Sequence, residues 1–402
     1  MNRNDLITLQ KTIRPTTAVT PSRIDRRSLL KAGGALGLTG LALGLMPRSV
    51  RNASAHQDGG TPPAAVTPIV GPQDDGTNLW HVQVGGMDME NNLDFQGFFP
   101  GEITINAGDK IWFDSPMPGL HNAWFGYGGE APPLMIPDPE MASPAAGEAP
   151  TLIFNPEFVF PTPNQVVDGV NPVNTGVDVF WDPTVPTIVT FSTAGTYDYL
   201  CIPHQAVMRA TVIVQEAGSD LPMDQAGYDA LAQEQLAALQ EEGTAAIAEF
   251  AQATSEDQAD GTTLWTAALG AGEGQARVMA ILPKELEIKV GDSVKWIIQS
   301  PGEAHNVTFV GSDQTPPEDA IFGAFADGTP KITQNPLTFL PSGTTTFDGT
   351  GYMQSGFMGV PQLGLPMEFT GTFTAPGEFI YYCSLHGDAG GGGMAATLRV
   401  VE

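Results

Sequence analysis

Phe99-Pro100-Gly101-Glu102-Ile103-Thr104-Ile105-Asn106-Ala107-Gly108-Asp109-Lys110-Ile111-Trp112-Phe113 returns 183 residues later as Leu282-Pro283-Lys284-Glu285-Leu286-Glu287-Ile288-Lys289-Val290-Gly291-Asp292-Ser293-Val294-Lys295-Trp296. Both copies alternate apolar and polar residues on either side of Gly-Asp, which reads as strand, tight turn, strand. Gly supplies a positive φ without steric cost and Asp can bond its own backbone, so the two strands are predicted to pair. Upstream, Leu79-Trp80 recurs as Leu264-Trp265. Downstream, Phe191-Ser192-Thr193-Ala194-Gly195-Thr196-Tyr197-Asp198-Tyr199-Leu200-Cys201 matches Phe373-Thr374-Ala375-Pro376-Gly377-Glu378-Phe379-Ile380-Tyr381-Tyr382-Cys383 at an offset of 182. One β-domain is written twice.

At 402 residues and 42% hydrophobic the chain can bury more than one core. Its 47 Gly and 34 Pro suit many short strands joined by turns. Two cysteines cannot build a disulfide framework. Seventeen Lys+Arg against 45 Asp+Glu give a net charge of -28, which repels phosphate backbones and anionic lipid and excludes nucleic acid as a partner.

Asp25-Arg26-Arg27-Ser28-Leu29-Leu30-Lys31, the apolar run Ala32 to Met46 and Ala53-Ser54-Ala55 resemble a twin-arginine signal peptide over residues 1–55. The resemblance implies export in the folded state to the periplasm or the extracellular space. The apolar run is too short to span a bilayer, and the mature chain is expected to have no integral membrane segment. Residues 1–55 take nine of the Lys/Arg and two of the Asp/Glu, leaving 8 against 43 and a mature charge of -35. We read residues 56–74 as a flexible tail, 75–216 as the first β-domain, 217–261 as a helical linker and 262–402 as the second β-domain. In the linker Tyr228, Leu231, Leu236 and Leu239 share one helical face, and a break is expected near Gly243. Whether the helix packs on one domain or bridges both is open.

The chemistry lies at the end of each copy. Tyr199-Leu200-Cys201-Ile202-Pro203-His204-Gln205-Ala206-Val207-Met208 places a thiolate, an imidazole and a thioether on one loop between two strands. In the second copy Cys383-Ser384-Leu385-His386 runs through a Gly-rich loop to Met394. Met208 and Met394 both stand three residues before a Thr in the last strand, which makes them counterparts. A fourth donor is available from His121 in His121-Asn122 and from His305 in His305-Asn306. One Cys, two His and a weak Met form a soft trigonal set with a long axial bond, the arrangement that suits blue copper and electron transfer.

Both halves resemble cupredoxins, the plastocyanin and azurin family, over about residues 75–216 and 262–402. The resemblance implies an all-β fold of two Greek-key sandwiches joined by a helical connector. It implies two type 1 copper ions per chain, held by His121, Cys201, His204 and Met208 and by His305, Cys383, His386 and Met394. In such domains the Asn after the first His ties the ligand loops together through the residue after Cys. Asn306 has the hydroxyl of Ser384 there, whereas Asn122 faces Ile202, whose side chain offers no hydrogen bond, so the two sites are expected to differ in potential. The resemblance also makes His204 and His386 the surface-facing electron ports. The inserts Ala131 to Pro163 and Thr315 to Pro366 exceed what a small cupredoxin needs; covering copper, packing the domains together and forming subunit contacts are all open roles.

Two such domains in one chain also resemble copper nitrite reductases and small multicopper oxidases. In those enzymes a His precedes the blue-copper Cys; here Leu200 and Tyr382 stand in that place. With both sites filled, His56 and His81 remain, too few for a three-His catalytic metal. The reading is therefore an exported electron carrier rather than an enzyme, with copper storage or delivery as a third alternative. The acidic surface reads as solvated, or as the complement of a basic redox partner protein. The oligomeric state is open.

Overall fold

The computed structural model describes residues 67–116, 120–141, 150–177 and 186–402. Residues 1–55, read above as a signal peptide, together with His56 and most of the expected tail, lie outside these residues.

In the first repeat one sheet runs in the order Gly71–Pro72, Asn78–Val84, Lys110–Asp114, Thr187–Phe191, Val166–Val167, with Phe98–Phe99 also on Asn78–Val84. The facing sheet runs Val173–Asn174, Trp124–Phe125, Gly195–Leu200, Arg209–Gln215, Glu102–Asn106. Strict alternation along Lys110–Asp114 and Arg209–Gln215 buries Ile111, Phe113, Ala210, Val212 and Val214 between the sheets. The second repeat builds the same sandwich around Trp296, Phe309, Phe373 and Tyr381. The fold is all-β, in two sandwiches.

The Gly-Asp turns correct one expectation. Glu102–Asn106 pairs with Arg209–Gln215 and Lys110–Asp114 pairs with Asn78–Val84, so the turn carries the chain from one sheet to the other instead of closing a hairpin. Glu285–Lys289 and Ser293–Gln299 are split in the same way. The Asp explains the geometry. Buried Asp109 accepts from the backbone N–H of Asn78 at 2.8 Å, its own turn's Asn106 N–H at 3.1 Å and the Trp80 indole at 3.0 Å. Asp292 accepts from Thr263, Lys289 and the Trp265 indole at 2.7, 3.0 and 3.3 Å. The recurring Leu-Trp is thus a strand start nailed to the turn, and Gly108 at φ +98° and Gly291 at φ +95° make the turn sterically free.

The helix Gln225–Glu249 is unbroken, capped by Asp224, whose side chain accepts from the Gly227 N–H. The break expected near Gly243 does not occur. A Cβ on Gly243 would lie 2.7 Å from Leu93 Cδ1, so this glycine lets the fully buried Leu93 press on the helix. The helix bridges the sandwiches, since Ala232 and Leu239 share a core with Leu93, Phe95 and Phe99 of the first repeat and Ala268, Ala276 and Val278 of the second. No helix among the described residues is long and apolar enough to cross a membrane.

Two further contacts fix how the halves meet. Leu93–Phe95 pairs antiparallel with Ala276–Leu282, in the register Leu93 to Val278, Asp94 to Arg277 and Phe95 to Ala276. The inserts form a separate four-stranded sheet, Ala320–Ala324, Pro330–Gln334, Leu152–Phe154, Met135–Pro137, two strands from each repeat. The inserts pack the repeats together, and they also share cores with the loops that carry the candidate donors, Phe158 and Ile332 with Ile202, and Leu152 and Phe339 with Leu385. Lys331 reinforces the packing with Asp138 at 3.0 Å and Glu140 at 2.9 Å.

Candidate metal centres

Each repeat brings Cys and two His together at one end of its sandwich. Cys201 follows the strand Gly195–Leu200; its N–H donates to the Met208 carbonyl at 3.0 Å, and the Met208 N–H donates to the His204 carbonyl at 2.9 Å, closing a tight loop. His121 enters from the opposite loop. Cys201 Sγ lies 3.9 Å from His121 Nδ1 and 3.5 Å from His204 Nδ1, and the two Nδ1 atoms are 3.1 Å apart. In the second repeat the same distances are 3.9, 3.4 and 3.2 Å. Both Cys and His305 are fully buried, and His121 is buried.

Among the described residues these are the two His/Cys clusters able to hold an ion. In each triangle the point equidistant from the three donors lies about 2.0 Å from every one of them, which is the length of a metal–imidazole bond. Two ring nitrogens this close, both aimed at a thiol sulfur, suit a soft cation that accepts S and N donors in a plane, and the residues fit copper.

Met208 and Met394 are fully buried in the same cores as Cys201 and Cys383. Their equivalence follows from register: Leu200, before Cys201, pairs with Arg209, after Met208, and Tyr382, before Cys383, pairs with Ala395, after Met394. The longer Gly-rich loop is absorbed by a register shift between Tyr382 and Gly387. His81 stands apart, in the strand Asn78–Val84 against Trp112 and 3.5 Å from Asp114.

The loop ties correct a second expectation. The Ile202 backbone N–H donates to Asn122 Oδ1 at 2.9 Å, and Asn122 Nδ2 donates to Asn174 at 2.7 Å. The Ser384 N–H donates to Asn306 Oδ1 at 2.8 Å, and Asn306 Nδ2 also donates to the Ser384 hydroxyl at 2.7 Å. The tie runs through backbone in both sites, so an Ile serves as well as a Ser. The second site adds an N–H from Asn306 to Cys383 Sγ at 3.5 Å.

The sequence reading missed what lies behind the rings. His121 Nε2 is 3.4 Å from buried Asp94, whereas His305 Nε2 is 3.0 Å from the buried Ser300 hydroxyl. Gly85 and Gly270, at positive φ, make room for these rings; a Cβ there would come within 2.7 Å of His121 and 2.6 Å of His305. The charges differ accordingly. Burial works against the charged forms in the first site, but the Asp94 carboxylate holds the His121 pKa well above its ordinary value, and the two imidazoles bring the Cys201 thiol down to about 6. In the second site burial holds His305 well below its ordinary value and pushes the Cys383 thiol up to about 12.

A third expectation changes as well. His204 and His386 do not both open to solvent: their side chains are 9% and 23% exposed, and both face Glu303.

Residues 177–215, which carry Cys201, His204 and Met208, match the family described as copper binding proteins, plastocyanin/azurin family. No curated protein matches the chain. Similar solved structures include a methionine-to-alanine mutant of amicyanin with Cu(I), 19% identical, covering 37% of this chain and 97% of that one with a TM-score of 0.20. Dithionite-reduced auracyanin from Roseiflexus castenholzii is 18% identical, with coverages of 35% and 96% and a TM-score of 0.21. A pseudoazurin from Sinorhizobium meliltoi is 19% identical, with coverages of 39% and 95% and a TM-score of 0.19.

Proposed function

We propose that the protein is a tandem cupredoxin, exported by the twin-arginine route, that binds one type 1 copper in each repeat and carries electrons. The observation behind this reading is the pair of matching donor triangles, His121-Cys201-His204 and His305-Cys383-His386, each sized for one ion. The family match over residues 177–215 supports copper as that ion. When bound, copper supplies a one-electron couple. The chain's own part is to hold the donors still: Asn122 and Asn306 lock the loops, and dry cores surround both sulfurs. A cage that does not rearrange with oxidation state favours rapid transfer. The acidic surface fits a basic partner protein in the periplasm or outside the cell.

Metal analysis with visible spectra tests this on wild type, Cys201→Ala and Cys383→Ala. Two coppers with intense copper–thiolate absorption, falling to one in each variant, are expected. A single copper in wild type, or loss of both in either variant, contradicts one independent site per repeat. A third, colourless copper with turnover of nitrite or oxygen would replace the carrier with an enzyme.

A further inference from the structure

The rings of His204 and His386 aim Nδ1 into their own triangles and Nε2 at the same residue. His204 Nε2 is 3.5 Å from Glu303 Oε2 and His386 Nε2 is 3.7 Å from Glu303 Oε1. Glu303 is 8% exposed, and its Oε2 accepts from Gln96 Nε2 at 2.7 Å; Gln96 also donates to Asp94 at 3.1 Å. Arg277 donates toward Gln96 at 3.4 Å and adds positive charge among these acids. The clamp is reciprocal. Gln275 of the second repeat donates to the Val207 carbonyl, next to Met208, at 3.1 Å, and Asn92 of the first donates to the Gly393 carbonyl, next to Met394, at 3.4 Å. Asn92 and Gln275 are 183 residues apart, equivalent places in the repeat.

Building on the two-copper reading, we propose that Glu303 joins the two centres into one internally connected pair, the electron passing between them through His204, the Glu303 carboxylate and His386. A carboxylate contacting both rings is a specific feature: a structural acid at a domain interface needs one partner, and this one divides its two oxygens between two ligand histidines. The step is a one-electron exchange. The reduced centre at Cys201 is oxidised, the oxidised centre at Cys383 is reduced, no bond forms or breaks and no proton moves. The direction follows from the surroundings. Asp94 behind His121 stabilises the more positive, oxidised state of the first centre, whereas the Asn306 N–H on Cys383 Sγ and the neutral Ser300 behind His305 favour the reduced state of the second. His386, the more exposed ring, is the side from which the electron leaves the pair to an acceptor.

Pulse reduction of the oxidised, copper-loaded full chain tests the proposal. A fast bimolecular uptake should be followed by a phase whose rate is independent of protein concentration, as the electron settles in the second centre. Glu303→Ala, still holding two coppers, should slow that phase by about tenfold or more. A settling phase that scales with protein concentration, or one unchanged in Glu303→Ala, overturns the proposal. If Glu303→Ala does not load both metals, nitrogen-15 NMR of the metal-free Glu303→Gln chain decides: Nε2 resonances of both His204 and His386 should move, and movement of one or neither refutes the bridge. Wild type binding fewer than two coppers would instead remove the underlying two-copper reading, so the failures are distinguishable.

Discussion

Replacing Asp94 by Asn removes a buried negative charge behind the first centre while keeping its shape and an acceptor for Gln96. The carboxylate oxygen is 3.4 Å from His121 Nε2. Adding the width of the ring and one metal–nitrogen bond places the charge about 7 Å from the middle of the donor triangle. At an effective dielectric constant of about 20, a unit charge at that distance is worth about 2.4 kcal/mol to a one-electron change. That is equivalent to about 100 mV. The charge favours the oxidised ion, so Asp94→Asn should raise the potential of the first centre by about that amount. Spectroelectrochemical titration in a Cys383→Ser background isolates this centre; the reverse background, Cys201→Ser, should show a clearly smaller shift at the second. A first-centre potential that stays within about 20 mV, or falls, would refute the reasoning that Asp94 sets the asymmetry.

Three further outcomes follow from the fold. Asp109→Ala strips acceptors from two backbone N–H groups and the Trp80 indole, and should cost about 3 to 5 kcal/mol in denaturant unfolding; a loss below about 1 kcal/mol means water replaces the carboxylate. Gly243→Ala improves helix propensity by about 1 kcal/mol, yet should lower Tm because the new methyl meets fully buried Leu93; a raised Tm shows that Leu93 can move aside. Burial lifts the Asp319 carboxyl from 3.8 to about 6, the hydroxyls of Ser384 and Thr338 opposing the shift. The folded state therefore keeps a proton that the unfolded chain has lost in this window, and stability should fall as pH rises from about 4 to 6, by at most about 3 kcal/mol. Asp319→Asn should flatten that decline, and equal pH slopes in both proteins exclude it.

The two His/Cys clusters were legible because the same residue types recur in the same order in both halves of the sequence. Cys201, His204 and Met208 sit on one loop, and His121 precedes Asn122 as His305 precedes Asn306. The linker helix was legible from the spacing of Tyr228, Leu231, Leu236 and Leu239, but the place of Gly243 was not, since it makes room for Leu93, 150 residues away. The Gly-Asp turns misled because period-two runs around a turn look alike whether the strands share a sheet or face each other; Trp80 and Trp265, bonded to the turn Asp, carried the missing information. The inserts held an overlooked repeat, Asn155-Pro156 and Asn335-Pro336, each Asn capping a four-residue helix. Asp94, Gln96 and Glu303 left no signal, because an acidic chain offers many carboxylates and only the meeting of two repeats selects these.

The register of that meeting explains why the centres differ. Asp94 and Arg277 are equivalent positions, 183 residues apart, and they lie directly opposite one another, with Leu93 facing Val278 and Phe95 facing Ala276. The approximate two-fold relating the repeats therefore passes between them. In a dimer of identical chains the residue on such an axis faces itself, and an Asp or an Arg there would oppose a like charge. Within one chain the two positions need not be identical, which allows acid on one side and base on the other. Glu303 follows the same logic. Its aligned position in the first repeat is Gly119, so a single carboxylate stands between His204 and His386 where exact symmetry would require two. Two carboxylates in so small a buried space would repel one another, and a neutral pair would leave the rings without an acceptor. One Glu from one repeat stands against both histidines, and this arrangement requires unequal halves.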